Sequence, residues 1–137
     1  MGNWVQQAIT QWNEEGLELN PPATATDIEN AEKHIGFSFP EDLKELYLTV
    51  NGFVDFEWKS SMISLWSLNR IVEDYNEIKR FIMFSDFSIS LCQYGFAKDH
   101  TGIFKAFTHH QKEPAQFIAR SFQEVIELIN SDSELLF

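Results

Sequence analysis

The sequence predicts an α+β domain. Three observations predict it: stripes at three- and four-residue spacing mark helices early in the chain and at its end, short apolar runs of strand length fill the middle, and nothing divides the two. The expected architecture has N-terminal helices, a central, mostly antiparallel sheet of about five to six strands, one mid-chain helix and a C-terminal helix packed on the sheet. At 137 residues the chain has room for one domain with a real core and is short for two, so residues 1–137 are expected to form a single domain. Hydrophobic residues make up 44% of it and aromatics 15%, with 13 Phe, so burial can hold the fold without a metal or disulfide.

Trp4, Val5, Ala8, Ile9 and Trp12 give an amphipathic helix ending near Gly16. Two tryptophans on one narrow face suit docking of that helix on the rest of the domain. Leu17 to Pro22 is a turn-rich connection, and Asn20-Pro21-Pro22 enforces an extended approach to Thr24. Thr24 and Asp27 resemble a capping box, with Asp shorter than the usual Glu or Gln, and start a second helix. Ala25, Ile28, Ala31 and Ile35 share one face of it, while Asp27, Glu29, Asn30, Glu32 and Lys33 face water. Gly36 is a good left-handed stop, with Phe37 folding back on the last turn. Pro40 fits the first position of a third helix, followed by Glu41 and Asp42 at the positive end of its dipole. Leu43, Leu46, Tyr47 and Val50 make its apolar stripe, and Asn51-Gly52 ends it, because both residues tolerate positive φ.

Beyond that point the period shortens. Val54, Phe56 and Trp58 alternate with Asp55 and Glu57, as in a strand with one buried face. Lys59-Ser60-Ser61 make a polar turn, and Met62 to Trp66 return as a second strand, giving a hairpin. Ser67 caps the mid-chain helix, which carries Leu68, Ile71, Val72 and Tyr75 inside and Glu73, Asp74 and Glu77 outside. Strands are expected over Phe81 to Phe84, Ser88 to Phe96 and Ile103 to Phe107, separated by Ser85-Asp86 and by Lys98 to Gly102. Their near-continuous apolar runs suit the centre of a sheet. His109 to Pro114 is a polar loop. Phe117-Ile118 leads into the last helix, where Ser121 and Glu124 form a capping box and Phe122, Val125, Ile126 and Ile129 form the core face.

Charge and missing motifs narrow the function. The formal charge is −11, from 21 acidic against 10 basic residues. Such a surface aids solubility, repels nucleic-acid phosphate and suits a basic partner, because long-range attraction raises encounter rates. Basic residues lie scattered between Lys33 and Arg120 without a cluster, so no nucleic-acid partner is expected. Cys92 is the only cysteine, which precludes an intrachain disulfide and fits a reducing cytoplasm. No run approaches the ~18 apolar residues of a membrane span, and the N-terminus lacks a basic region followed by an apolar one. A soluble cytoplasmic protein without membrane contact is expected.

The one conceivable metal or nucleophile set is His100, His109 and His110 with Cys92, Asp86 and Asp99. It matches no zinc spacing, and the apolar run around Cys92 hides the thiol and raises its pKa. Asp55 and Glu57 on one strand face are a conceivable acid/base pair, yet nothing marks them further as catalytic. No GxGxxG, Walker or GxSxG loop is present. The chain is expected to carry no metal, no cofactor and no enzyme activity.

Residues 23 to 53 resemble the SUKH superfamily, specifically its group named after a yeast regulator of cell-wall assembly. The matching residues are Ala23-Thr24, Ile28 and Glu32, Gly36-Phe37, Phe39-Pro40, the helix through Leu43 and Tyr47, and Asn51-Gly52-Phe53. Phe39 stands where Leu is commoner. Leu65 to Ile71 resembles the family's strand-then-helix step, and Ala119 to Ile126 its closing helix. The resemblance implies binding without catalysis: bacterial members are mostly cytoplasmic immunity proteins that bind and block a cognate polymorphic toxin domain, many of them nucleases. An inhibitor of a nuclease gains by mimicking phosphate charge, so the acidity points the same way. The expected function is neutralisation of a basic toxin domain, and the alternative is a regulatory module binding an endogenous cellular partner.

The family's motif residues are caps, turns and core positions, so no contact residue carries over. The expected contact surface is the exposed face of the first hairpin, Asp55, Glu57 and Trp58, with Glu73, Asp74 and Glu77 of the following helix. Aromatic anchors amid acids suit a basic target, although an ordinary solvated face accounts for the same acids better and Trp58 suits the core better than an anchor.

Overall fold

Side-chain caps at Thr24, Ser67 and Ser121 start three of the helices, as the local residues require. The computed structural model describes residues 3–78, 80–88, 91–107 and 115–136. The first helix, α1 (Asn3–Glu14), buries Val5, Ala8 and Trp12, and Trp12 donates its indole N–H to the Asn130 side chain at 2.7 Å. Helix α2 (Ala25–Ile35) opens with a reciprocal capping box: Thr24 Oγ1 accepts from the Asp27 N–H at 3.0 Å, and the Asp27 carboxylate accepts from the Thr24 N–H at 2.9 Å. The shorter acid closes the box. Gly36 ends α2 in the left-handed region, and Phe37 folds back to pack on Phe39 and Phe96. In α3 (Glu41–Tyr47), Pro40 is the N-cap rather than the first helical residue, and the helix stops at Tyr47 instead of running to Val50. Leu43, Leu46, Tyr47 and Val50 are buried all the same.

The strands form one antiparallel five-stranded sheet in chain order: β1 (Ile63–Leu65), β2 (Phe81–Phe87), β3 (Cys92–Ala97), β4 (Ile103–Phe107) and β5 (Gln116–Ala119). Short connections permit this meander without crossovers. Between β1 and β2 the chain inserts α4 (Leu68–Glu73), capped by Ser67, whose hydroxyl accepts from the Arg70 N–H at 3.3 Å. After β5 comes α5 (Phe122–Asn130), where Ser121 Oγ accepts from the Glu124 N–H at 3.1 Å, and then a single 3-10 turn at Glu134–Leu136. The expected α+β architecture is present, with five strands.

Phe122, at the start of α5, is the hub of the core. Its ring centroid lies 5.0 Å from Phe84 and 6.4 Å from Phe96 on the sheet, and 6.3 Å from both Trp4 and Tyr47 on the helices. Truncating a ring packed in this way costs about 3–5 kcal/mol. The two-residue period of the strands sends a second set of side chains to the other face. Leu65, Ser85, Tyr94 and Lys105 form one cross-strand row, and Ser64, Asp86 and Gln93 form the next. Tyr94 and Lys105 both donate to the Leu136 carbonyl, at 2.9 and 3.3 Å, so the Asp86 row points away from the C-terminal turn.

The expected hairpin of residues 54–58 with 62–66 does not form. Phe53 and Lys59 each donate to β1, to Leu65 and Ile63 at 2.8 Å, but the residues between them bow out as a loop. Val54 donates instead to the Glu18 carbonyl at 3.0 Å, and Leu19 bridges to Phe53, so the connection before α2 competes for the same backbone groups. A turn closed by the Glu57 N–H on the Val54 carbonyl at 2.9 Å, with Phe56 at φ 70°, occupies the rest. The partner of β1 is β2, with Ser64 opposite Asp86.

Smaller departures follow from the same competition. Ser85-Asp86, expected as a separator, lie inside β2, which runs on to Phe87 across a bulge between Met83 and Ser85. Helix α4 ends at Glu73, leaving Tyr75 and Glu77 beyond it. Strand β3 starts at Cys92 rather than Ser88, and residues 89–90 of the expected strand lie outside the described residues. Where only a lead-in to α5 was expected, Gln116–Ala119 pair with β4 as β5. The polar loop His109 to Pro114 lies outside the described residues.

Candidate functional site

The bowed loop, α4 and the strand edge enclose an open groove of about 730 Å³. From the loop come Asp55, Phe56, Glu57 and Trp58. Arg70, Glu73 and Asp74 come from α4 and its C-cap, while Ser64, Trp66 and Asp86 reach the groove from β1 and β2 or the residue following β1. Its lining thus includes five carboxylates, at Asp55, Glu57, Glu73, Asp74 and Asp86, against the one guanidinium of Arg70.

At its inner side the register of β1 on β2 brings Ser64 Oγ to donate to Asp86 Oδ1. Trp66 Nε1 donates to the same oxygen at 3.2 Å, and Arg70 Nη2 lies 3.5 Å from Oδ2. Asp86 is only 5% exposed, so these partners are what make a charged carboxylate tolerable there. Because the Ser67 cap starts α4 immediately after Trp66, Arg70 falls over the indole, with its guanidinium carbon 4.0 Å from the ring centroid. Arg70 Nε is also 3.5 Å from Asp74 Oδ2.

The wall carrying Trp66 is fixed from behind by Tyr47 and Asn51, at and after the end of α3. Tyr47 donates its hydroxyl to the Trp66 carbonyl at 2.5 Å, and burial pushes the Tyr47 phenol well above its ordinary pKa. Asn51 Oδ1 accepts from the Leu68 N–H at 2.9 Å, and Trp66 N–H bonds to Phe84 on β2 at 2.8 Å. The loop is tied down at its base. Glu57 accepts from the Glu18 N–H at 2.9 Å, and the buried Lys59 ammonium sits 2.6 Å from Glu15. Just before these ties Phe56 is 89% exposed at positive φ, and Trp58 and Met62 are partly exposed in the same loop. A bulky residue at positive φ is a local strain of about 1–3 kcal/mol that the surrounding contacts must hold.

Of the six residues expected at the contact surface, Asp55, Glu57, Trp58, Glu73 and Asp74 meet at this groove. Glu77 does not. It lies beyond α4, 3.2 Å from Lys98 and 3.8 Å from Arg80, and accepts from the Tyr75 hydroxyl. That hydrogen bond and the one from Lys98 hold its carboxyl below the usual range. Sequence reasoning missed Phe56, Arg70 and Asp86 as groove residues: Phe56 was expected in the core, and Asp86 in a turn. The available signal for Asp86 was a lone acid inside the apolar run Phe81 to Phe87. A second hollow of about 500 Å³, lined by Asp27, His34 and Val72 among others, shares Glu73 with the first, so α4 forms a ridge between them.

Among the described residues, Cys92, Asp86, Asp99 and His100 of the conceivable metal or nucleophile set form no metal-binding group. Cys92 is buried and its thiol is pushed up by desolvation, with Tyr94 OH 3.8 Å away. Asp99 pairs with Arg80 at 3.0 Å, and His100 packs on Phe104. His109 and His110 lie outside the described residues, and among those described no group of three or more His, Cys, Asp or Glu could hold a metal ion. No helix among the described residues is long and apolar enough to cross a membrane.

A meander sheet backed by helices, with an acidic groove and loop-borne aromatics at its rim, defines a small α+β recognition domain. The chain belongs to the SMI1 / KNR4 family (SUKH-1), whose profile matches residues 22–131. That span holds every element from α2 to α5 and the lining of the groove except Asn20 and Pro21, and leaves α1 outside. Membership sets protein binding as the coarse function, as in an immunity protein or a cell-wall-related regulator. No curated protein matches the chain.

Proposed function

We propose that the chain is a cytoplasmic immunity protein that binds a basic toxin domain through the groove and blocks it without catalysis. The observation that carries this reading is the convergence of five carboxylates and the exposed Phe56 on one concave face. An aromatic ring held in solvent at positive φ gains nothing for the free chain, whereas it suits insertion into a partner as an anchor. The carboxylates around it steer a basic surface toward the groove and raise the association rate. Family membership and the net charge of −11 point the same way.

The test is protection of cells. The chain is co-expressed with the toxin domain encoded beside its gene, and growth is compared for wild type and for the combination Asp55→Lys, Glu73→Lys and Phe56→Ala. Protection by the wild type that the combination abolishes, with association slowed about tenfold or more at low salt, supports the reading. No protection by the wild type overturns the immunity function and leaves the regulatory module. Protection unchanged in the combination overturns the groove as the docking face.

A further inference from the structure

We propose that the space between Trp66 and Asp86 is a guanidinium site, filled in the free chain by Arg70 and taken over in the complex by an arginine side chain of the protein partner. The proposal rests on the groove being the docking face and names the chemistry it reads there. A planar cation at this place meets three groups at once. The indole face of Trp66 lies 4.0 Å below it, Asp86 Oδ2 is 3.5 Å from Nη2, and Asp74 Oδ2 is 3.5 Å from Nε. Ser64 and Trp66 both donate to Asp86 Oδ1, which fixes the orientation of the carboxylate from the side opposite the cation. The ring and the inner carboxylate are therefore built by the sheet and by Trp66, while α4 brings the present occupant and, at its C-cap, Asp74.

That occupant is held loosely. Charge-assisted N–H···O bonds to carboxylates run about 2.7–2.9 Å, and both contacts of Arg70 are longer. Its side chain remains 32% exposed, and it reaches the site from a helix of only six residues. Displacement strands no buried charge, because the partly exposed Arg70 side chain can turn to solvent beside Glu73. An arginine entering from the mouth finds a ring to stack on and the Oδ2 of a buried carboxylate to donate to, in a groove whose carboxylates outnumber its cations. A lysine offers no plane to stack and matches the site less well.

The experiment titrates N-acetyl-arginine N-methylamide into the full chain and follows the indole N–H resonances by NMR. In Arg70→Ala the probe should bind at least about tenfold tighter than in wild type, perturb the Trp66 indole, and outcompete the matching lysine amide. Adding Asp86→Asn to Arg70→Ala should remove binding. Asp74→Asn, at a half-exposed side chain, gives the same comparison with a several-fold loss should Asp86→Asn not fold. Equal affinity in wild type and Arg70→Ala, or equal affinity for the lysine amide, overturns the proposal. The protection assay stands apart from this result, so the guanidinium site and the docking face fail separately.

Discussion

Replacing Gly52 by Ala should destabilise the protein far more than one methyl group suggests. Gly52 has φ +69°, and a Cβ built there would lie 2.5 Å from the Trp66 carbonyl oxygen, 2.6 Å from its carbon and 2.9 Å from the Ser67 nitrogen. All three are backbone atoms, so no rotamer change relieves the overlap. The left-handed conformation costs a residue with a Cβ about 1–2 kcal/mol, and forced repacking costs about 1–3 kcal/mol more, for a total of about 2–5 kcal/mol. Gly16 is the matched control, since it has φ +77° and nothing within 4 Å of its Cβ position. Gly16→Ala should therefore lose only the conformational part, about 1–2 kcal/mol. Urea unfolding of both variants, compared at unchanged m-value, measures the difference. Equal losses in the two would refute the argument that Gly52 is required by its approach to Trp66.

Tyr47→Phe keeps the ring and removes the donor to the Trp66 carbonyl, so it should cost about 1–3 kcal/mol in the same assay, with packing of Phe122 unchanged. In the pair of the buried Lys59 with the better-solvated Glu15, the partner removed decides the cost. Glu15→Gln leaves an uncompensated buried ammonium and should lose more stability than Lys59→Met, and thermal unfolding of both ranks them. Cys92 is 2% exposed and its thiol is pushed up by burial, so it should resist an aromatic disulfide reagent at neutral pH until the chain is unfolded. Rapid labelling of the folded protein would show that β3 opens locally.

Local chemistry in the sequence was enough for the helices. The Thr24 box, the Gly36 stop and the Ser67 and Ser121 caps depend on residues within a few positions of one another, and each forms, although the Glu124 carboxylate lies by Arg120 and does not complete the box expected at Ser121. Strand existence was legible as well, because apolar runs at Phe81, Cys92 and Ile103 have nowhere to go but the core. Partner choice was not. The alternation from Val54 to Trp58 reads as a strand, yet Val54 donates to Glu18, Glu57 closes a turn on Val54, and the bond to Leu65 falls to Phe53; Glu18 is distant in the chain and invisible to any short window.

The candidate site divides along the same line. Asp55, Glu57, Glu73 and Asp74 were legible as an acidic surface from composition and periodicity, and they share one groove with Trp58, which the alternation put on a buried face. Glu77 was separated from them by the early end of α4, where Tyr75, Lys98 and Arg80 hold it. Asp86 became the inner wall because the register of β2 on β1 set it against Ser64 and beneath Arg70. The class of fold, its caps and the sign of its charge follow from composition and neighbouring residues and could be read from the chain alone. That Phe56 stands in solvent and that Trp66, Arg70 and Asp86 meet came from long-range packing, because strand pairing and burial are settled by competition among segments far apart in the chain.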